Sequence, residues 1–196
     1  MVNKSIQEIA EKWNIKYRSD KRFLDPPIRN VIIENSFLLP KNGWVLEIAG
    51  GNGATADYLS KLGLKVIEVD ISHEALKMSQ KRNNQVIQVL ADAEHLPIQQ
   101  FKFDVICNFY FLERSIFPFI KKNLKPGGLL FYETMTIEML SLRPEIPEKN
   151  LLLQNELKEA FQSFEILQYF EGWVDSDHGR KKSIARMIAR KPLVSV

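Results

Sequence analysis

The sequence predicts an α/β fold with a doubly wound, mostly parallel seven-stranded sheet, its last strand antiparallel, behind an N-terminal helical lid. Three observations predict it. From Trp44 onward, short apolar runs alternate with helical patterns. Those runs are apolar nearly throughout, as strands covered by helices on both faces must be. After Glu133 the rhythm changes, and two longer segments flanking a polar, turn-rich stretch read as an antiparallel pair.

Each element has its own reason. Ile6, Ile9, Trp13 and Tyr17 recur three or four residues apart, the spacing of an amphipathic helix over 5–18. Asp25-Pro26-Pro27 breaks the chain, and proline at a first helical position opens a second helix carrying Ile28, Ile32 and Leu38. Pro40 to Gly43 is a turn. Trp44–Ile48 is the first strand and Ala54–Leu62 the helix after it, with Gly63 as end cap. Lys65–Val69 is the second strand, closed by Asp70. Ser72 caps a helix over His73–Arg82, with Glu74 in its first turn. Val86–Leu90 and Val105–Phe109 are the third and fourth strands, and Ile116, Ile120 and Leu124 mark the helix before the fifth, Leu129–Glu133. Residues 134–153, with Pro144 and Pro147, read as an irregular cover or a short helix, and Asn155–Phe161 as a helix. Phe164–Trp173 and Ser183–Arg190 form the closing pair around DSDHGRKK.

The chain has 196 residues, 45% apolar and 26% charged, which suits one sizeable core. A single domain over 1–196 is expected: a helical lid (1–40), a cofactor-binding core (44–133), then a substrate cover and closing hairpin (134–196). A net charge of +3 is too small to demand a nucleic-acid partner. The single cysteine, Cys107, excludes an internal disulfide framework. No secretory apolar region opens the chain, and no run approaches the ~18 residues of a membrane span. A soluble cytoplasmic protein acting on a small molecule is expected, with no membrane partner; oligomeric state is not legible. Asn3-Lys4-Ser5 has the form of a glycosylation sequon, without meaning in that compartment.

The chemistry gathers at one rim. Gly51-Asn52-Gly53 follows the first strand, where absent β-carbons let backbone approach a ligand, and the helix from Ala54 adds its N-terminal dipole. Glu47 in the first strand, Asp70 at the end of the second and Asp92 past the third share that rim, where open sheets bind ligands. Singly, each has a structural reading as turn glycine, cap or turn residue. The loop itself parses in two ways. Gly51 to Ala56 fits G-x-G-x-x-A, the dinucleotide fingerprint, with Asp70 near the ribose position. Counted from Glu47, it reads E-x-A-x-G-x-G. A carboxylate beside the loop repels a pyrophosphate and favours a ligand with an amino group and a sulfonium, such as S-adenosylmethionine.

At this point the sequence resembles the class I S-adenosylmethionine-dependent methyltransferases, whose core is Rossmann-like. VLEIAGGNG resembles their first motif, VIEVD the second, VLADAEHLPI and FDVICN the third- and fourth-strand motifs, and LKPGGLLFYE the segment that follows. NFYFLERSIFPFIKKNLKPGGLLFYET and LLLQNELKEAFQSFEIL resemble the small TehB-like, tellurite-resistance-type branch. The resemblance implies S-adenosyl-L-methionine as cofactor, with Gly51 and Gly53 flanking its methionine part and Glu47 near its ammonium. Asp70 would accept both ribose hydroxyls and Ile71 would pack on the adenine. Asp92 would receive the adenine amino group, the Ala93 amide would face a ring nitrogen, and Asn108 and Phe109 would face the reacting methyl. Ala49, within the same loop, stands where the family usually has glycine.

Methyl transfer is an in-line displacement that gains most from alignment, so no general base need be visible and no catalytic residue is assigned. Tyr110, Arg114 and Tyr17 are the substrate-side candidates. Arg114 is read as a fork for an anionic acceptor or as a helix-start residue, and Trp13 with Tyr17 as a donor cover or plain packing. His73, His95 and His178 have no metal-ligand spacing, so no metal is expected. Arg180-Lys181-Lys182 reads as a solvated turn. The expected function is methyl transfer to a small nucleophile: a thiol, or a selenium or tellurium oxyanion. The rivals are an NAD-dependent oxidoreductase, against which Glu47 and the KPGG turn speak, and a non-catalytic S-adenosylmethionine- or RNA-binding module.

Overall fold

The apolar runs are strands in the computed structural model, which describes residues 5–24, 27–98, 100–175 and 179–193. Asn3, Lys4, Asp25, Pro26 and His178, on which the sequon, part of the chain break and one histidine reading fall, lie outside the described residues. The described residues include seven strands. The chain forms two compact units, up to Gln99 and from Gln100.

In the first unit, β1 (Trp44–Ile48), β2 (Lys65–Asp70) and β3 (Ile87–Leu90) are parallel, with Glu47 opposite Glu68 and Asp70 opposite Leu90. Helix α3 (Ala54–Lys61) follows β1, and α4 (His73–Arg82) follows β2. Val45, Leu46, Ile48, Leu59, Val66 and Val69 make the core. Ser72 caps α4 as expected, accepting from the Ala75 amide. Helix α1 (Ile6–Ser19) starts on a reciprocal capping box between Ser5 and Glu8. Its apolar stripe is only half used: Tyr17 is buried, whereas Ile6 and Ile9 stay exposed. What docks α1 is polar, since the Asn14 side-chain oxygen accepts from the Ser72 hydroxyl (2.8 Å) and the Glu74 amide (3.2 Å).

The expected second helix is a correction. Helix α2 spans only Asn30–Glu34, and a separate 3₁₀ turn covers Ser36–Leu38. The buried Asn35 side chain donates back to the Val31 carbonyl (2.9 Å), offering the backbone an alternative to a continuing helix.

In the second unit, β4 (Phe103–Phe109) runs parallel to β5 (Leu124–Met135). Strand β7 (Lys181–Arg190) is antiparallel to both β5 and β6 (Glu165–Asp175), so the last strand is the reversed one. Helix α5 (Phe117–Asn123) precedes β5, and the short α6 is Glu156–Ala160. Strand β5 begins earlier than its apolar run, because Gly127 donates to the Lys191 carbonyl and Gly128 accepts from the Lys191 amide. Of the two readings of residues 134–153, the irregular cover is the one found, with 3₁₀ turns at Ile137–Ser141 and Glu148–Asn150. Met139, Leu151 and Leu152 anchor that cover by burial.

The core of this unit centres on Phe161, whose ring packs edge-on against Phe117 (5.4 Å between centroids) and Phe164 (5.5 Å), with Tyr132 at 6.3 Å. Phe161→Ala leaves a cavity among these rings and is expected to cost about 3–5 kcal/mol. Denaturant unfolding of the variant checks it; a loss under about 1 kcal/mol would show that the ring cluster does not hold this unit.

Candidate functional site

The loop after β1 is clamped from two sides. Ala49 has φ 52°, Gly51 φ 71° and Gly53 φ 75°, all left-handed. Such a conformation is costly for a residue with a β-carbon, so Ala49 is held there by its surroundings. A β-carbon on Gly50 would meet Glu68 Cγ at 2.5 Å, and one on Gly53 would overlap the Ser79 hydroxyl and come within 2.9 Å of Ser79 Cα. On Gly51 it would lie 2.5 Å from the Tyr17 hydroxyl. The glycines are therefore needed for contacts within the protein as well as for any ligand.

Three carboxyls support this loop. Asp70 is buried, its Oδ2 accepting from the Gly51 amide (2.9 Å) and its Oδ1 from the Ser72 amide (2.8 Å). Burial raises its pKa, against the pull of those amides. Glu47 is 3% exposed and its Oε2 has no hydrogen-bond partner. Burial pushes its pKa up to about 8, while the Arg29 charge, the Thr55 hydroxyl and the Ala56 amide pull the other way. Glu68 is fully buried, bonded by the Ser79 hydroxyl through Oε2, and its Oε1 has no partner. Burial, then repulsion from Glu47, raise it well above the ordinary carboxylate range.

Tyr17 stays protonated, because burial and the Asp70, Glu68 and Glu47 charges all oppose its ionisation. It stacks with Trp13 and Phe23 (centroids 6.4 and 5.3 Å), so the aromatic pair is packed and also sits on the loop. Asn52 ties the same segment down, donating to the Phe23 (3.3 Å) and Leu24 (3.1 Å) carbonyls. Ile71 is half-buried beside Asp70. Asp92 caps the next turn, its Oδ1 accepting from the Glu94 amide (3.1 Å) with His95 Nδ1 3.4 Å from its Oδ2, and Ala93 is buried behind it.

The structure thus brings Glu47, Ala49, Gly51, Gly53, Asp70 and Tyr17 together in the first unit. These residues fit a cationic nucleotide donor: Glu47 holds a buried acceptor with no donor, and glycines line the strand end. They fit a pyrophosphate poorly, since the Gly51 amide such a group would need is given to Asp70 among three buried carboxyls.

In the second unit, Asn108 and Phe109 are both buried; Asn108 donates to the Phe111 carbonyl (2.7 Å), leaving its Oδ1 without a partner. Tyr110 has φ 57°, a strained value for an aromatic residue, and its amide donates to the Glu133 carbonyl (2.7 Å). Its hydroxyl donates to Glu133 Oε1 (2.5 Å) and accepts from Lys182, while Arg186 Nε holds Glu133 Oε2 (2.5 Å). Glu133 and Arg186 carry no functional reading in the sequence. A carboxylate closing a buried strand was the available signal for Glu133.

Two readings are corrected here. Lys182 lies in β7 and bonds Tyr110, so it is no solvated turn residue. Arg114 does not present an open fork: its Nε and NH2 hold the Glu156 carboxylate (2.5 and 2.8 Å), and NH1 and NH2 donate to the Lys149 and Leu151 carbonyls. It staples the cover to α6, which leaves no donor pair for an acceptor.

Among the described residues no helix is long and apolar enough to cross a membrane, and no group of three or more His, Cys, Asp or Glu is placed to hold a metal ion. A family model described as "Methyltransferase domain" matches residues 46–132. TehB of Haemophilus influenzae is 30% identical over 165 residues, 75% of this chain and 57% of that protein. A malonyl-[acyl-carrier protein] O-methyltransferase of Hamiltonella defensa is 27% identical over 105 residues, 51% of this chain and 41% of that one. The chain thus spans about half the length of these relatives. The crystal structure of H. influenzae TehB superposes with a TM-score of 0.69 at 22% identity, covering 93% of this chain and 66% of that one; this likeness speaks for the fold.

The buried acids make a pH prediction. Glu47 is protonated in the folded chain up to about pH 8, against an ordinary value of 4.5, so the native state binds the extra proton between those values. The stability this confers is complete below the ordinary value and is lost as pH rises through about 8. Glu47→Gln cannot ionise, so urea midpoints of the native chain should fall relative to the variant's as pH rises over that interval. A pH-independent difference would mean that Glu47 is ionised in the fold.

Proposed function

The chain belongs to the class I S-adenosylmethionine-dependent methyltransferases, in their TehB-like branch, and on that premise we propose that it transfers the donor's methyl group to a small-molecule nucleophile. The observation that carries this reading is the Gly51–Asp70 contact among buried carboxyls, which makes the loop a seat for positive charge. The donor supplies an electrophilic methyl on a sulfonium. Glu47 offers its unpartnered Oε2 to the donor's amino group. Asp70, already fixed by two backbone amides, offers its remaining lone pairs to the ribose hydroxyls, and Asp92 meets the adenine amino group. Gly51 and Gly53 let the backbone come close, and Tyr17 covers the loop.

The acceptor is a small, soft nucleophile in this reading, a thiol or a selenium or tellurium oxyanion. Such groups attack without a strong base, so the protein's task is alignment. Tyr110, held by Glu133 next to Asn108 and Phe109, is the acceptor-side residue this reading favours over Arg114. The modest net charge supports neither nucleic acid nor a membrane surface as partner, and a cytoplasmic setting accords with the lone buried Cys107.

Thermal unfolding with each ligand at about 100 times its Kd separates the readings, since ligand at that level adds about 2.7 kcal/mol. S-adenosylmethionine and S-adenosylhomocysteine are expected to raise Tm by several degrees, and NAD and NADP to leave it unchanged. Asp70→Asn, which keeps the side-chain shape but loses the charge, is expected to abolish the shift. A shift with the nicotinamides alone would end the methyltransferase reading.

A further inference from the structure

Glu68 touches neither donor nor acceptor in the proposed reaction, yet it is fully buried. It stands directly opposite Glu47 in the parallel register of β1 and β2, so the two carboxyls share one face of the sheet. Each keeps one buried oxygen without a hydrogen-bond partner, Oε2 of Glu47 and Oε1 of Glu68. Two adjacent carboxyls in a dry site do not both ionise unless positive charge arrives.

The groups around the pair supply too little positive charge. Arg29, ahead of α2, is the cation acting on Glu47. From α3 come the Thr55 hydroxyl and the Ala56 amide, and from α4 the Ser79 hydroxyl on Glu68. Gln88 of β3 donates to the Ser79 hydroxyl and to the Asn83 carbonyl (3.5 Å each). Asp70 of β2 adds a third carboxyl, and Tyr17 of α1 stays neutral. Among the described residues, Glu47 thus has one guanidinium acting on it and two further carboxyls beside it.

We propose that Glu68 is a positioning residue that couples donor binding to proton release: Glu47 and Glu68 are both protonated in the free protein, Glu68 bringing no positive charge to its neighbour, and the donor's ammonium, on reaching Glu47, expels the proton there. The charges balance. The pair goes from 0 to −1 as one proton passes to the buffer, and the ammonium brings +1 against it. The proposal rests on the methyltransferase reading. It adds that affinity for any ligand carrying the methionine amino group climbs with pH, about tenfold per unit, until Glu47 ionises unaided. For Glu47 that point lies at about pH 8.

Titration calorimetry of the full chain near pH 7, in buffers of different ionisation enthalpy, counts the protons. S-adenosylmethionine and S-adenosylhomocysteine should each release about one, and the count should fall toward zero above pH ~9. 5′-Methylthioadenosine, which lacks the amino-acid end, should bind and release none. In Glu68→Gln an amide donor stands opposite Glu47 and favours its ionised form, so the count drops below one. A structural role for Glu68 would leave the count unchanged. Binding of S-adenosylmethionine near pH 7 with no buffer dependence overturns the inference and leaves the methyltransferase reading standing. That wild-type result decides even if Glu68→Gln fails to fold. No binding of either adenosyl ligand overturns both.

Discussion

The cost of burying carboxyls beneath a glycine loop governs the first unit. Glu47, Glu68 and Asp70 are all under 10% exposed, and a buried carboxylate is tolerated only when protonated, paired or bonded. Much of the local structure answers that demand. The Gly51 and Ser72 amides turn toward Asp70, Ser79 toward Glu68, and the start of α3 toward Glu47. The loop's left-handed residues follow, because its backbone must pass between Glu68 and Ser79 on one side and Tyr17 on the other. The N-terminal segment is drawn in by the same elements, through Asn14 on the cap of α4 and Asn52 on the carbonyls after α1.

The second unit spends its charges differently. Arg114 is consumed by Glu156 and two carbonyls, fastening the cover after β5 to α6. Glu133 gathers Tyr110 and Arg186, and Lys182 completes the chain of bonds at the end where β5 stops and β7 begins. This network holds Tyr110 in its strained conformation just past the end of β4. An aromatic hydroxyl fixed so firmly suits alignment better than it suits proton transfer, in keeping with a reaction limited by geometry.

Local patterns were readable wherever one chain segment decides its own structure. The strands of the parallel sheet showed as apolar runs, Ser72 as a cap, and Gly63 as a stop, because each depends on neighbours within a few residues. The second helix was overestimated because Asn35 looks neutral in sequence, and only burial makes its bond to Val31 decisive. Arg114 and Lys182 were misjudged for the opposite reason: their partners lie 42 and 72 residues away, beyond any periodicity. In the site, Glu47 and Asp70 were legible from position relative to the loop. Glu68 was not, since a lone acid inside VIEVD says nothing until the register sets it against Glu47.

The central claim is that the loop is a seat for positive charge built on acids that stay partly protonated until the donor arrives. Carbon-13 NMR of the glutamate side-chain carboxyls, assigned at Glu47 and Glu68, observes this directly. Near pH 7 the free protein should show protonated-carboxyl character at this pair, and saturation with S-adenosylmethionine should shift the Glu47 resonance to the ionised form. Two fully ionised carboxyls in the free protein, unmoved by the donor, would contradict the account.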